Sequence, residues 1–187
     1  MEKQFVIAGF GGQGVLLLGT LIAKAALLED REVSWMPSYG PEMRGGEANC
    51  AVVVSDEPIA SPMVSEPPVL VAMNKPSLMK FTPNIPTGGT LLYNASIISG
   101  VDIREDIHAI AVPCNEIAEK LGNSRVANMV MLGAMQAATG VVSDASLRAA
   151  VLDWLGEGKA HMLGINEQAI EEGRAAVREL RVENRED

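Results

Sequence analysis

Short apolar runs, bounded by glycine, proline and polar clusters, alternate along this chain with longer stretches of helical period. Residues 4–8, QFVIA, and 32–36, EVSWM, predict buried strands, and 14–28, GVLLLGTLIAKAALL, predicts a helix between them. Strand, glycine turn, helix and strand read as one βαβ unit with a right-handed crossover. Residues 47–55, EANCAVVVS, predict another strand, and the proline-rich 56–68, DEPIASPMVSEPP, predicts a loop. Further strands are expected at 69–73, VLVAM, at 90–93, TLLY, and at 107–112, IHAIAV, with a short helix at PSLMKF between the first two. After residue 112 the strand signal stops. Helices are expected near 114–121, 125–138 and 144–155, and a charged one near 166–181. That last helix is polar around most of its circumference, which predicts an exposed or docking arm over about residues 160–187.

This alternation specifies an α/β fold, Rossmann-like and three-layered, with a mostly parallel sheet and a helical C-terminal region. Its 187 residues suit a single domain spanning 1–187. Aromatic residues make up only 4% of the chain, so the core must be built from small and aliphatic side chains. The net charge of −9 leaves no excess of lysine or arginine for nucleic acid or an anionic membrane, although one anion can still be held locally. No targeting segment or membrane-spanning run is visible, and a cytoplasmic location is expected. Cys50 and Cys114 lie far apart, and neither they nor His108 and His161 fall at metal-ligand spacing. An iron–sulfur cluster held wholly by this chain would need four thiolates.

Gly9, Gly11 and Gly14 form a G-x-G-x-x-G pattern between the first strand and helix. Such glycines let the chain turn sharply and bring bare backbone to a ligand, and the amides from Gly12 to Val15 suit a phosphate or carboxylate. A dinucleotide site also needs an acid at the end of the next strand, for the ribose. Here that strand ends in Met36 and Pro37, and Glu29, Asp30 and Glu32 all precede it. NAD is therefore a minor reading beside another anion or a glycine turn that serves packing alone.

The following loop, MPSYGPEMRGGEANC, holds Tyr39, Glu42 and Arg44 among prolines and glycines. Arg44 offers a planar fork for a carboxylate or phosphate, and a Glu42–Arg44 pair or a contact with another chain is equally open. Asn115, Asn123 and Ser124 are expected as helix caps. Asn128 lies inside an apolar helical stretch, so its amide needs a loop, a neighbouring chain or a ligand as partner. Met129, Met131 and Met135 fall at core or interface spacings.

Taken in order, GFGGQGV, SWMPSYGPEMRGGEANC, SDEPIASPMV, NKPSLMKF and VPCNEIAEKLGNSRVANMVMLGA resemble the gamma subunit of 2-oxoacid:ferredoxin oxidoreductases. The likeness covers about residues 4–142, with a weaker tail. The SYGPEMRGG form is closer to the 2-oxoglutarate and branched-chain 2-oxoacid branches than to the indolepyruvate branch. The resemblance implies an assembly that converts a 2-oxoacid, coenzyme A and oxidised ferredoxin to an acyl-CoA, carbon dioxide and reduced ferredoxin. Thiamine diphosphate, magnesium and iron–sulfur clusters would sit on alpha, beta and, where present, ferredoxin-like delta subunits. This chain lacks the G-D-G…N thiamine pattern and cluster cysteines, so it would supply binding and shape. By the same resemblance it helps to receive coenzyme A. Gly11, Gly12, Gln13 and Gly14, with Arg44 and its loop neighbours Tyr39 and Glu42, would meet a phosphate, with Asn128 as a further candidate. A free-standing dinucleotide-binding module or dehydrogenase is the alternative that the residues leave open.

Overall fold

The computed structural model describes residues 1–40 and 46–183, with side chains through Glu179. Six strands, β1 (Glu2–Phe10), β2 (Glu32–Tyr39), β3 (Glu47–Ser55), β4 (Val69–Ala72), β5 (Thr90–Asn94) and β6 (His108–Val112), form one sheet in the order β2-β3-β1-β4-β5-β6. Only β3 is antiparallel to its neighbours; the other five share a direction. The helices are α1 (Val15–Leu27), α2 (Lys75–Phe81), α3 (Cys114–Lys120), α4 (Ala127–Thr139), α5 (Asp144–Leu155) and α6 (Leu163–Glu183).

Alternate residues of β1 feed two cores. Phe5 and Ile7 pack with Leu18, Leu21 and Ile22 of α1 and with α3 to α6, while Val6 and Ala8 pack with Leu78 of α2 and with Ile85, Ile98 and Ile107 from the loops. Burial on both faces is why β1 and β4 read as continuous apolar runs. The sheet thus has a thick helical layer on one face and a thin layer on the other. Beyond β1 the chain passes through α1 towards β2; beyond β4 it passes through α2 to β5, in the opposite direction across the sheet. The boundary between β1 and β4 is therefore the switch point of the fold.

The β1–α1–β2 unit is not a pair of adjacent strands: β3 returns between them, with Ile7 facing Cys50 on one side of it and Cys50 facing Pro37 on the other. Of the two roles expected for the last helix, exposed or docking, α6 docks on the body. It buries Ala169, Ile170 and Val177, and it crosses α4 at two glycines. A Cβ on Gly133 would lie 2.7 Å from the carbonyl carbon of Ile170, and one on Gly173 would lie 2.8 Å from that of Val130. Its polar residues occupy the outer face. One of them, Arg174, turns inward, donating to Gln136 Oε1 at 2.8 Å and pairing with Asp144 at 3.0 Å. No helix among the described residues is long and apolar enough to cross a membrane.

Candidate functional site

The glycine loop leaves β1 at Phe10 and enters α1 at Val15. Gly12 (φ 102°) and Gly14 (φ 75°) occupy backbone conformations that L side chains rarely adopt. Gly14 is the N-cap of α1, and no side chain caps the helix. The first-turn amides are therefore left without the usual oxygen acceptor, at the positive end of the helix dipole.

Not every amide of the loop is free. Gly11 donates to Gly46 O at 2.9 Å, which ties the loop to the start of β3, and Gln13 donates to Phe10 O at 3.1 Å. The Gln13 side chain is also committed: Oε1 accepts from Phe10 N at 2.7 Å and from Asn74 Nδ2 at 3.0 Å, and Nε2 donates to Met73 O at 2.9 Å. It bridges the carboxyl ends of β1 and β4. Gly12, Gly14 and the first turn of α1 keep their amides for a ligand.

These amides open on a cleft of about 200 Å³ at the carboxyl edge of the sheet, and Asn94, Asn115, Ser124, Arg125 and Asn128 complete its polar wall. Asn94 ends β5 and is buried; its Oδ1 accepts from Ser96 N at 3.3 Å, and its Nδ2 donates to Asn115 Oδ1 at 2.7 Å. That pairing turns the Asn115 amide nitrogen outward. Asn115 is no helix cap, since α3 starts one residue earlier at Cys114; its own amide and that of Glu116 donate to Ser96 Oγ. Asn123 does cap, accepting from Arg125 N at 3.1 Å, and Ser124 lies inside the short 3-10 turn that follows.

Asn128 is the most informative residue here. It stands at the start of α4, is 9% exposed, and has no hydrogen-bond partner among the described residues. Its amide lies under Gly14, where a Cβ would meet Asn128 Nδ2 inside van der Waals contact and its Cγ at 3.0 Å. A carboxamide that no other described residue engages, at the wall of a cleft, remains available to a ligand. Arg125, on the rim one turn earlier, has no ion pair among the described residues. No carboxylate lines the cleft among those residues. Backbone amides, carboxamide nitrogens, a hydroxyl and a guanidinium thus converge on one space, in a chain whose net charge is −9. The arrangement suits a ligand rich in acceptors, which is to say an anion.

Of the residues expected at a site, Gly12, Gln13, Gly14 and Asn128 line this cleft. Gly11 is used in joining two loops. Tyr39, 56% exposed, sits on the edge strand β2 outside the cleft, and Glu42 and Arg44 lie outside the described residues. Arg125, Asn94 and Asn115 were not expected as site residues. The sequence signal for Arg125 was its place one helical turn before Asn128, and for Asn94 its place just past an apolar strand, where parallel sheets bind ligands.

The dinucleotide alternative fits this geometry poorly. A ribose-binding acid would sit on β2, which β3 displaces from β1 by two strand spacings, about 10 Å. Cys50 and Cys114 are fully buried, and burial pushes the Cys50 thiol up to about 12 and raises Cys114 as well. Two separated thiols do not fit an iron–sulfur cluster. Among the described residues no three His, Cys, Asp or Glu side chains converge to hold a metal ion.

Comparison with known proteins identifies what the chain is similar to. Ketoisovalerate oxidoreductase subunit VorA of Methanothermobacter thermautotrophicus is 44% identical over 182 residues, covering 95% of this chain. The chain spans only 37% of that longer relative. 2-Oxoglutarate synthase subunit KorC of the same organism is 38% identical over 186 residues, covering 96% of this chain and 97% of its own length. Among solved structures, 2-oxoglutarate:ferredoxin oxidoreductase from Magnetococcus marinus, with 2-oxoglutarate, coenzyme A and succinyl-CoA bound, superposes with a TM-score of 0.88 at 25% identity. That match covers 95% of this chain and 31% of the solved one. The keto/oxoacid ferredoxin oxidoreductase gamma subunit of Geobacter sulfurreducens gives 0.79 at 29% identity, covering 94% of this chain and 98% of its own. The model of the pyruvate ferredoxin/flavodoxin oxidoreductase family matches residues 4–176, and the chain belongs to that family.

Proposed function

We propose that this chain is the gamma subunit of a 2-oxoacid:ferredoxin oxidoreductase, working with thiamine- and cluster-bearing partner subunits. The assembly takes a 2-oxoacid, coenzyme A and oxidised ferredoxin to an acyl-CoA, carbon dioxide and reduced ferredoxin. Within it, this chain receives a phosphate end of coenzyme A. The amides of Gly12, Gly14 and the first turn of α1 donate to the anion, Asn128 donates from below, and Arg125 supplies the opposing charge. The observation that carries this reading is the donor-lined cleft with the unpartnered Asn128 amide beneath an uncapped helix. Its volume, about 200 Å³, is below the 300 Å³ or so at which whole small-molecule sites begin, so the site grips one end of the ligand. Support also comes from the solved relative that holds coenzyme A and from relatives of matching length that are subunits of 2-oxoacid enzymes.

The test is steady-state kinetics of the assembled complex with Asn128→Ala and Arg125→Ala. Each is expected to raise the KM for coenzyme A by about tenfold, the loss of a charge-assisted or buried hydrogen bond, with kcat nearly unchanged. An unchanged KM in both variants sinks the reading. Thermal stabilisation of the isolated chain by NAD, NADP or FAD but not by coenzyme A would favour the dinucleotide module instead.

A further inference from the structure

We propose that Gln13 and Asn74 form a positioning pair that sets the orientation of the anion cradle through the hydrogen bonds they make behind it. This rests on the coenzyme A reading and extends it to residues behind the site. The cradle consists largely of glycine, and glycine gives up more backbone freedom on ordering than any other residue. Nothing lies within 4 Å of a Cβ built on Gly12, so no side-chain packing fixes that part of the loop. Its geometry must therefore come from flanking hydrogen bonds.

Gln13 supplies most of them. Its Oε1 receives both Phe10 N and Asn74 Nδ2, and its Nε2 reaches Met73 O. Asn74 is 4% exposed and works in two directions. Its Oδ1 caps α2 by accepting Ser77 N at 2.8 Å, and its Nδ2 holds Gln13. The oxygen and nitrogen of both carboxamides are fixed by these partners, because Phe10 N and Ser77 N can only donate and Met73 O can only accept. One pair of side chains thus joins the end of β1, the end of β4 and the start of α2, on opposite faces of the sheet. The Gln13 oxygen so engaged is fully used, and one N–H of Nε2 is committed to Met73 O. Its effect on binding runs through the angle at which Gly12 and Gly14 present their amides, and small misplacements of such donors weaken binding measurably.

Asn74→Ser isolates the proposal, since serine keeps an oxygen that can cap α2, adds no charge beside the cradle, and loses the donor to Gln13. Gln13→Met keeps the length of the side chain, adds no charge, and loses the bonds to Phe10 N, Asn74 and Met73 O. In the assembled complex each is expected to raise the KM for coenzyme A by about tenfold, with kcat held within about twofold and the double variant no worse than either single one. Hydrogen exchange on the wild-type chain gives a measurement that needs no variant: the Gly11 and Gln13 amides should exchange slowly, as parts of a held loop. Exchange at unstructured-loop rates overturns the proposal, as does an unchanged KM in both variants accompanied only by a lower melting temperature. Asn128→Ala in the same assay separates the two ideas. If it raises the KM while the Gln13 and Asn74 variants do not, coenzyme A binding stands and the positioning pair falls. If Asn128→Ala has no effect, the coenzyme A reading fails and takes the pair with it.

Discussion

Replacing Gly14 by alanine should do two separable kinds of damage. The backbone there has φ 75°, and holding alanine in that region costs roughly 1–2 kcal/mol. The new methyl would also stand 3.0 Å from Asn128 Cγ and closer still to its Nδ2, so the carboxamide must swing off its rotamer at roughly 0.5–1.5 kcal/mol. Alanine stiffens the unfolded chain, offsetting about 0.4–1 kcal/mol. The net loss is ~2 kcal/mol, equivalent to a fall in melting temperature of roughly 6 °C for a chain of this size. Gly12→Ala is the control: φ is 102°, but no atom lies near its Cβ, so only the backbone cost of about 1 kcal/mol applies. The two variants should thus differ by ~1 kcal/mol, and that difference belongs to Asn128. Urea unfolding followed by circular dichroism, run as a double-mutant cycle with Asn128→Ala, measures it. In the Asn128→Ala background the excess cost of Gly14→Ala should shrink, leaving only the contact with the remaining Cβ at 3.2 Å. Equal losses for the two glycines in the wild-type background, with no coupling to Asn128, would refute the geometry on which the site is built.

Three further outcomes are expected. Gly133→Ala should destabilise the chain by about 2 kcal/mol in the same unfolding assay, because overpacking against the Ile170 backbone outweighs the ~1 kcal/mol gained in helix propensity; a more stable variant would mean that α4 and α6 do not cross there. Cys50 and Cys114 should resist Ellman's reagent in the native chain near neutral pH and react once it is unfolded, since both thiols are buried with raised pKa values. Asp106, held down to about 2 chiefly by its hydrogen bonds from Arg104 and then from Thr87, stabilises the fold only while ionised. The stability gap between wild type and Asp106→Asn should be constant above about pH 5 and shrink as pH falls from about 4 through 2, and an undiminished gap at pH 2 would contradict this assignment.

The elements were legible where local periodicity decides them. The run EANCAVVVS at 47–55 is a strand at its expected bounds, because alternating side chains must fill two faces of a central strand. Which strand lies beside β1 was not legible, because periodicity states which face is buried and says nothing of neighbours. The antiparallel return of β3 depends on a register of nine residue pairs that no single stretch encodes. For α6, the outward residues dominate the pattern, whereas contact with α4 rests on Gly133 and Gly173, which register as weak helix formers rather than as an interface. The glycine loop and Asn128 were both visible, but their meeting was not, since Asn128 lies more than a hundred positions away on another helix. Gln13 illustrates the reverse case: its place in the motif suggested a ligand group, and its side chain is spent on Asn74 and on two backbone partners.

The small volume of the cleft has a thermodynamic consequence. A coenzyme gripped here by one end only must be held at its other end by surfaces outside the cleft. If those surfaces lie on a partner subunit, occupancy and assembly become linked equilibria. Each ligand that bridges the two chains raises their mutual affinity by the factor by which their association raises its own. The subunit would then report coenzyme supply through its degree of association, with the isolated chain as a weak receptor and the assembled one as a tight receptor.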